Sequence, residues 1–323
     1  MRTLHSIAEL QAVEEPIFLA MGVFDGVHLG HQAVIGAAVE AAREGGGLAA
    51  VLTFEPHPIQ VLAPEKAPRR ILASIAHKER LLEELGVDLL VVHEFTREFA
   101  EEGAEDFTAA LRFIISDLRL VSVGVDWKFG RDRLGTVSTL MTWGAEEGIE
   151  VRAADPVMHE GERISSTRIR QALRDGNLEA AGAMLGRPYS VWGEVIKGRQ
   201  LGGKIGIPTA NIATGREQLP PDGVYKVSVL LEGKWRAGVG NLGVRPTVGG
   251  TQHLLEVHVF DFSGDLYGRE IEVRIETRIR GERKFGSIDE LKEQIEKDIA
   301  TAKAWHDQPA RHSLVRRPGP GHE

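Results

Sequence analysis

The chain has 323 residues, a length that suits two ordinary domains, with 42% hydrophobic and 27% charged residues. Its 39 basic and 47 acidic side chains leave a net charge of −8, a poor balance for wrapping nucleic acid, although a local basic groove stays open. Cysteine is absent, which excludes disulfides and thiolate metal sites and fits a reducing cytoplasm. Residues 1–13 show no secretory signal pattern, and no apolar run nears the roughly 20 residues of a membrane span.

In chain order, the apolar run 17–21 predicts a short buried strand, 32–43 an alanine-rich helix and 48–54 a second strand. A helix over 77–85, a strand over 87–92, a helix around 105–115 and a strand over 120–125 continue the alternation. A helix over 137–147 and a strand over 149–153 extend it, and a helix opening near Ser165 closes the unit. Solidly apolar strands alternating with helices argue for a parallel sheet covered on both faces. Beyond Gly186-Arg-Pro the texture changes to short runs at 191–197, 224–231, 235–239, 254–262 and 271–279, punctuated by Gly, Pro and Asn. That pattern predicts a small antiparallel barrel. A last helix starts at Ser287, which has capping-box spacing to Glu290, and Ile288, Leu291, Ile295 and Ile299 are expected to pack it on the barrel. The expected division is 1–181, 182–306 and a disordered tail over 307–323.

The first strand runs into Gly22-Val-Phe-Asp-Gly-Val-His-Leu-Gly-His31 and then a helix. Beyond the carboxyl end of a parallel strand, such a loop meets anions at free helix N–H groups. Glycines allow close approach, and His28 and His31 add donors toward a phosphate whose charge grows during displacement. Ordinary half-buried turn histidines are the plain alternative, and a zinc site lacks a third ligand at suitable spacing. Ile164-Ser-Ser-Thr-Arg-Ile-Arg170 crowds hydroxyls and arginines into a first helical turn, where acidic residues are usual; a bound polyanion explains this, as does simple capping by Ser165 or Ser166 with solvated arginines.

In the second half, Gly198-Arg-Gln-Leu-Gly-Gly-Lys-Ile-Gly-Ile-Pro-Thr-Ala-Asn211 is glycine-rich but not a Walker loop. Lys204 with the neutral oxygens of Thr209 and Asn211 suits Mg²⁺–ATP; a glycine-rich barrel corner is the plain alternative. In 254–262, Leu255, Val257 and Val259 alternate onto one apolar face. Glu256 then shares the other face with His258 and Phe260, placed to face a cleft beside an aromatic and take a proton from a hydroxyl.

The histidine loop and Ser-Ser-Thr-x-Ile-Arg resemble the nucleotidyltransferase superfamily and, more narrowly, the adenylyltransferase module of bacterial bifunctional riboflavin kinase/FAD synthetases. Thr53-Phe-Glu-Pro-His-Pro58 and Gly124-Val-Asp-Trp-Lys-Phe-Gly130 resemble two further segments of that module, departing at Trp127 and Lys128, where Phe and Arg are typical. The Pro-Thr-Ala-Asn loop, Gly238-Val-Gly-Asn-Leu-Gly-Val-Arg-Pro-Thr247, Glu256, Asp265-Leu-Tyr-Gly268 and 280–287 resemble the flavokinase module, with Ile207 where Phe is common.

The resemblance implies a Rossmann-like α/β nucleotidyltransferase domain followed by a flavokinase-like antiparallel β-barrel with a terminal helix. The barrel would phosphorylate riboflavin with ATP, and the first domain would transfer AMP from ATP to the FMN phosphate, giving FAD and pyrophosphate. On this reading Glu256 is the base, and Thr209 and Asn211 hold Mg²⁺. His28 and His31 act at the α-phosphate, while Ser166, Thr167 and Arg168 grip the leaving pyrophosphate. Gly22, Phe24, Asp25, Gly30 and Ser165 complete that ATP site. His57, Asp126 and Phe129 lie near flavin or adenine. Gly203, Lys204, Gly206 and Pro208 form the kinase ATP site. The expected partners are riboflavin, FMN and ATP, with neither nucleic acid nor membrane. A nucleotidyltransferase for another substrate, a nucleic-acid-binding module and a catalytically decayed flavin-binding regulator are the rival readings.

Overall fold

The structure, a computed structural model, describes residues 1–198, 206–247 and 250–306, the side chains of 245–252 excepted. The chain clusters into two compact units, Met1–Ile71 with Lys78–Ser166, and Leu72–His77 with the described residues from Thr167 onward.

The first unit opens with β1 (Arg2–Leu4), β2 (Ile17–Met21), α1 (Leu29–Gly45), β3 (Leu48–Glu55) and α2 (Pro58–Leu62). Helix α3 (Ile75–Glu84) crosses the division, so that its residues from Lys78 onward belong here. Then come β4 (Leu89–Glu94), α4 (Arg97–Ala100), α5 (Ala104–Ile114) and β5 (Leu118–Gly124). The hairpin of β6 (Lys128–Phe129) and β7 (Gly135–Thr136), then α6 (Val137–Glu147) and β8 (Glu150–Ala154) follow, and the hairpin of β9 (Met158–His159) and β10 (Glu162–Arg163) ends the unit.

The main sheet has the order β1-β4-β3-β2-β5-β8, and every pairing is parallel. All five residues of β2 are buried, as a strand covered on both faces requires. Leu10, Ile17, Leu19, Met21, Leu52 and Leu111 belong to one core, and α1 lies along β2, β3 and β5. From β2 the chain moves one way through β3 and β4, whereas β5 pairs on the other side of β2. Strand order therefore reverses between β2 and β5, and the crevice beyond their carboxyl ends is where such sheets bind ligands. The loops after Met21 and after Gly124 both leave from there.

Helix α7 (Ser166–Arg174) leads into the second unit, followed by α8 (Leu178–Leu185); the expected boundary at 181/182 falls inside α8. Strands β11 (Ser190–Ile196), β12 (Ala210–Ala213), β13 (Gly223–Leu231), β14 (Lys234–Thr247), β15 (Gly250–Val259) and β16 (Glu270–Arg280) close into a barrel. Its order is β11-β12-β15-β14-β13-β16, antiparallel throughout, which removes free sheet edges. Val191, Ile212, Val227, Leu255, Val257 and Val273 are fully buried strand residues.

The terminal helix α9 (Ile288–His306) seats differently from the sequence expectation. Ile288 is 67% exposed, and only the later part of the helix is covered, through Ile299 and Ala302 against Val224, Val239 and Phe260. Asp298, buried on the same helix, accepts from Arg280 at 2.7–3.0 Å. Ser287 Oγ caps the helix by accepting from Glu290 N at 3.2 Å, but Glu290 returns its carboxylate to Gly286 N at 3.0 Å, one residue upstream of a capping box. The tail 307–323 lies outside the described residues.

A buried polar knot ties segment Leu72–His77 into this second unit. His77 Nδ1 lies 3.1 Å from Glu217 Oε1, and Nε2 lies 3.1 Å from Ser190 Oγ and 3.6 Å from Glu272. Ser74 donates to Glu217 through both its N–H and its hydroxyl at 2.9 Å, and Trp192 N–H donates to the other carboxylate oxygen at 2.9 Å. Burial alone draws the imidazole pKa down, but the hydrogen bonds and charges of Glu217 and Glu272 outweigh it and push His77 up to about 8. Burial raises the Glu272 carboxyl and His77 with Ser190 lowers it further, leaving it below the usual range.

Candidate active sites

In the first unit, residues 22–31 link β2 to α1. His28 is the N-cap of α1, and its Nδ1 accepts from His31 N–H at 3.3 Å. An accepting Nδ1 puts the proton of the neutral ring on Nε2, which leaves that atom as a donor. The two imidazoles stack with centroids 3.5 Å apart and planes 18° apart, and Phe24 meets His31 edge-on at 5.4 Å. Phe24, Asp25 and His28 are buried, and Gly30 backs onto the His28 ring, where a Cβ would come within 3.2 Å. A Cβ on Gly22 would stand 3.0 Å from the Phe24 ring, so glycine there admits that ring.

Ser166 Oγ donates to Asp25 O at 2.9 Å, which ties the last residue of the first unit to the histidine loop. Ser165 immediately precedes α7, and Thr167 and Arg168 continue its first turn. The other expected residues divide. Asp126 is exposed after β5 and forms a two-pronged ion pair with Arg163 of β10, one arm at 2.8 Å. The Arg163 hydrogen bond holds its carboxyl below the usual range. His57 caps α2 through Nδ1, accepting from Ile59 N at 3.2 Å. Phe129 is buried, stacked on Trp127 with centroids 4.7 Å apart and near Phe107 at 5.7 Å, so its ring is a core contact. That stacking also accounts for an aromatic at the departing position 127.

In the barrel, strand register supplies the arrangement. Asn211 of β12 stands opposite Glu256 of β15, and Glu256 stands opposite Asn241 of β14. Directly opposed residues share one face of a sheet, so these three side chains form a row across three strands. Asn241 Nδ2 reaches Glu256 Oε2 at 3.5 Å. Asn211 is buried, and Gly198 lies so close that a Cβ there would fall 2.4 Å from its amide nitrogen. Thr209 lies two residues ahead of Asn211, immediately before β12 begins. His258 Nδ1 lies 2.8 Å from Pro208 O and, as the donor, ties the Pro208-Thr209 approach to β15. Gly206 takes φ +80°, a turn conformation suited to glycine. Gly203 and Lys204 lie outside the described residues.

The alternation of β15 holds: Leu255, Val257 and Val259 are buried and Glu256 and His258 are half-buried. Phe260 departs from it. It lies just past the strand and is buried with Val224, Val239 and Ala302 under α9, so no open aromatic from that position flanks Glu256. Sequence reasoning has His258 only as a neighbour on the Glu256 face and Asn241 only within the 238–247 motif, and it misses the buried Lys78. Each acts through a partner distant in the chain, and no local spacing reports such pairings.

Residues 10–168 match the family model described as FAD synthetase, and residues 185–306 match the one described as riboflavin kinase. The bifunctional riboflavin kinase/FMN adenylyltransferase of Escherichia coli K12 is 41% identical over 305 residues, covering 94% of this chain and 96% of that protein. The chain belongs to that family. Proteins of the same description from Haemophilus influenzae (41% identical, covering 94% of this chain and 99% of theirs) and Bacillus subtilis (38%, covering 91% and 93%) are similar over nearly the same span. A solved structure described as a macrolide-efflux protein from Streptococcus pneumoniae superposes with a TM-score of 0.80 at 33% identity, covering 94% of this chain and 99% of that one. Among the described residues no helix is long and apolar enough to cross a membrane.

Proposed function

We propose that Glu256 is the base of riboflavin phosphorylation and that His28 and His31 are the transition-state donors of FMN adenylylation, in an enzyme that carries both activities. The observation that carries this reading is the pairing of two chemically complementary arrangements: a carboxylate between two amides on the barrel, and two stacked imidazoles at a helix N-terminus on the parallel sheet.

In the kinase reaction Glu256 takes the proton from the riboflavin 5′-hydroxyl while that oxygen attacks the γ-phosphorus of ATP and the bond to ADP breaks. Thr209, Asn211 and Glu256 are all oxygen donors, which suits Mg²⁺. Among the described residues no cluster of three His, Cys, Asp or Glu side chains is built to hold a metal alone. The fit is therefore to an ion that arrives with nucleotide phosphates; Thr209 and Asn211 would hold it, where it supplies charge neutralisation. Gly206 and Pro208, with Gly203 and Lys204, would lie along the nucleotide.

In the adenylyl transfer a phosphate oxygen of FMN attacks the α-phosphorus of ATP and pyrophosphate leaves. No group on the protein needs to become covalently attached. His28 Nε2–H and His31 donate to the α-phosphate as its charge grows, with Gly22, Phe24, Asp25 and Gly30 shaping the loop around them. Ser165, Ser166, Thr167 and Arg168 hold the departing pyrophosphate at the start of α7. Asp126, paired to Arg163, and His57 border the flavin or adenine, and Phe129 supports that border from the core.

The division of labour runs 1–181 for adenylyl transfer and 182–306 for phosphorylation, supported by the matched spans 10–168 and 185–306. A cysteine-free composition supports a cytoplasmic location. The test is incubation with riboflavin, ATP and Mg²⁺ followed by chromatography. Glu256→Ala should lose FMN formation yet convert added FMN to FAD, and His31→Ala should do the reverse. If either folded variant loses both steps alike, the assignment of residues to reactions is wrong.

A further inference from the structure

Lys78 of α3 is buried, and its ammonium has no carboxylate within hydrogen-bond range among the described residues. Its Nζ donates instead to Val23 O at 2.8 Å and to Thr53 Oγ1 at 3.1 Å. Thr53, also fully buried, donates its hydroxyl to the same Val23 carbonyl at 2.9 Å. Two donors from α3 and β3 thus close on one carbonyl at the start of the histidine loop.

That loop is conformationally demanding. Phe24 has φ +50°, Gly26 φ +81° and Val27 φ +44°, and a left-handed backbone is unusual for an aromatic and more so for a β-branched residue. Such a loop persists only where its surroundings over-determine it. A trans peptide points its carbonyl and its N–H in opposite directions, so holding Val23 O toward α3 turns the Phe24 N–H away from it. Among the described residues nothing accepts from that N–H. The charged groups that face the ammonium are Asp25 from the loop and Glu55 from β3.

We propose that Lys78 is a positioning residue for FMN adenylylation: its buried ammonium clamps Val23 O, thereby fixing the strained 22–27 loop that presents the Phe24 N–H and His28 to the ATP phosphates. The inference rests on the reading of that loop as the adenylyl-transfer site. An ammonium under a polyphosphate loop also adds fixed positive charge where charge is bound. Burial draws its pKa down to about 8 against the pull of Asp25 and Glu55, so this charge is present below about pH 8 and is lost above it.

The test uses the full chain, with both activities measured in the same preparation. Lys78→Met keeps an unbranched side chain one atom shorter and removes the donor and the charge. It should lower kcat for FMN adenylylation about 100-fold, while riboflavin phosphorylation is unchanged. The alkaline fall of wild-type adenylylation near pH 8 should be absent from the residual activity. Thr53→Val, the same branched shape without the hydroxyl, removes the second donor and should cost about tenfold while keeping the alkaline limb. It decides the matter if Lys78→Met does not fold. Adenylylation within threefold of wild type in a folded Lys78→Met, or in Thr53→Val, overturns the proposal. So does a wild-type alkaline limb in Lys78→Met. His31→Ala, run alongside, separates the failures: if it lowers adenylylation and the clamp variants do not, the site stands and the clamp falls. If none of the three lowers it, the reading of the loop itself is wrong.

Discussion

On the proposed reading His28 has two roles, as the N-cap of α1 and as a donor to the α-phosphate. Nδ1 accepts from His31 N–H at the start of α1, which puts the proton of the neutral ring on Nε2. The two roles separate in His28→Asn, because asparagine is among the best N-caps but brings no imidazole. Stability by denaturant titration should change by less than about 1 kcal/mol, while FMN adenylylation should fall about 100-fold, the cost of losing one transition-state donor. A comparable loss of stability and activity together would make His28 a structural cap. His28, His31 and Glu256 stand out in the sequence as residue types in patterned surroundings, and the roles proposed for them rest on that pattern and on the geometry. The ring stacking and the cap do not stand out there, since both depend on how residues 28–31 enter the helix.

At the scale of elements, the barrel site exists because three strands agree on register. Asn211, Glu256 and Asn241 come from β12, β15 and β14, and a one-residue slip of any strand would turn its member to the other face. Gly198 guards this arrangement by leaving room for the Asn211 amide. Gly198→Ala should therefore lower riboflavin phosphorylation by about tenfold or more, because displacing a positioning group by an ångström is costly, and should leave adenylylation intact. Unchanged phosphorylation in that variant would show that the Asn211 amide need not sit where it does.

The same scale shows what the sequence could display. Strand β2 is legible to the residue because it is central and apolar throughout, and α6 because Thr136 and Gly148 bound it cleanly. Strand β1, three residues of mixed polarity, carries no periodicity and went unread. Strand β14 runs on to Thr247, well past the predicted end at 239, because pairing with β13 and β15 overrides the weak preference of Gly240 and Gly243. The early face of α9 differs from the expectation for a complementary reason. Its pattern is helical from Ile288, but the barrel covers only the later turns.

For the whole molecule, the order of the halves runs against the order of the reactions, since FMN made by the later half is adenylylated by the earlier one. The second unit also carries a pH dependence. His77 has its pKa raised to about 8 by two carboxylates. A raised histidine stabilises the folded state fully below the ordinary value of 6.5 and stops doing so as pH rises through about 8. Denaturant titrations should show the second unit weakening over that window, and His77→Gln should flatten the dependence. The substitution should also cost roughly 3–5 kcal/mol, the usual penalty for leaving buried carboxylates without their cation. A barrel equally stable on both sides of the window would mean that His77 is neutral throughout.

Segment Leu72–His77 lies more than a hundred residues upstream of the first barrel strand, yet it belongs to the barrel's own compact unit. A gene fragment opening at residue 182 would encode every strand and still omit the histidine that Glu217 and Glu272 surround. Such a fragment inherits two interior carboxylates without their counter-ion. Expressed alone, it should melt earlier than the same barrel in the uncut chain, most visibly at neutral pH and below. A synthetic peptide spanning 72–77, added in trans, should recover part of the difference. The kinase half is continuous in its chemistry but discontinuous in its chain, and anyone dividing the enzyme into pieces meets that interleaving first.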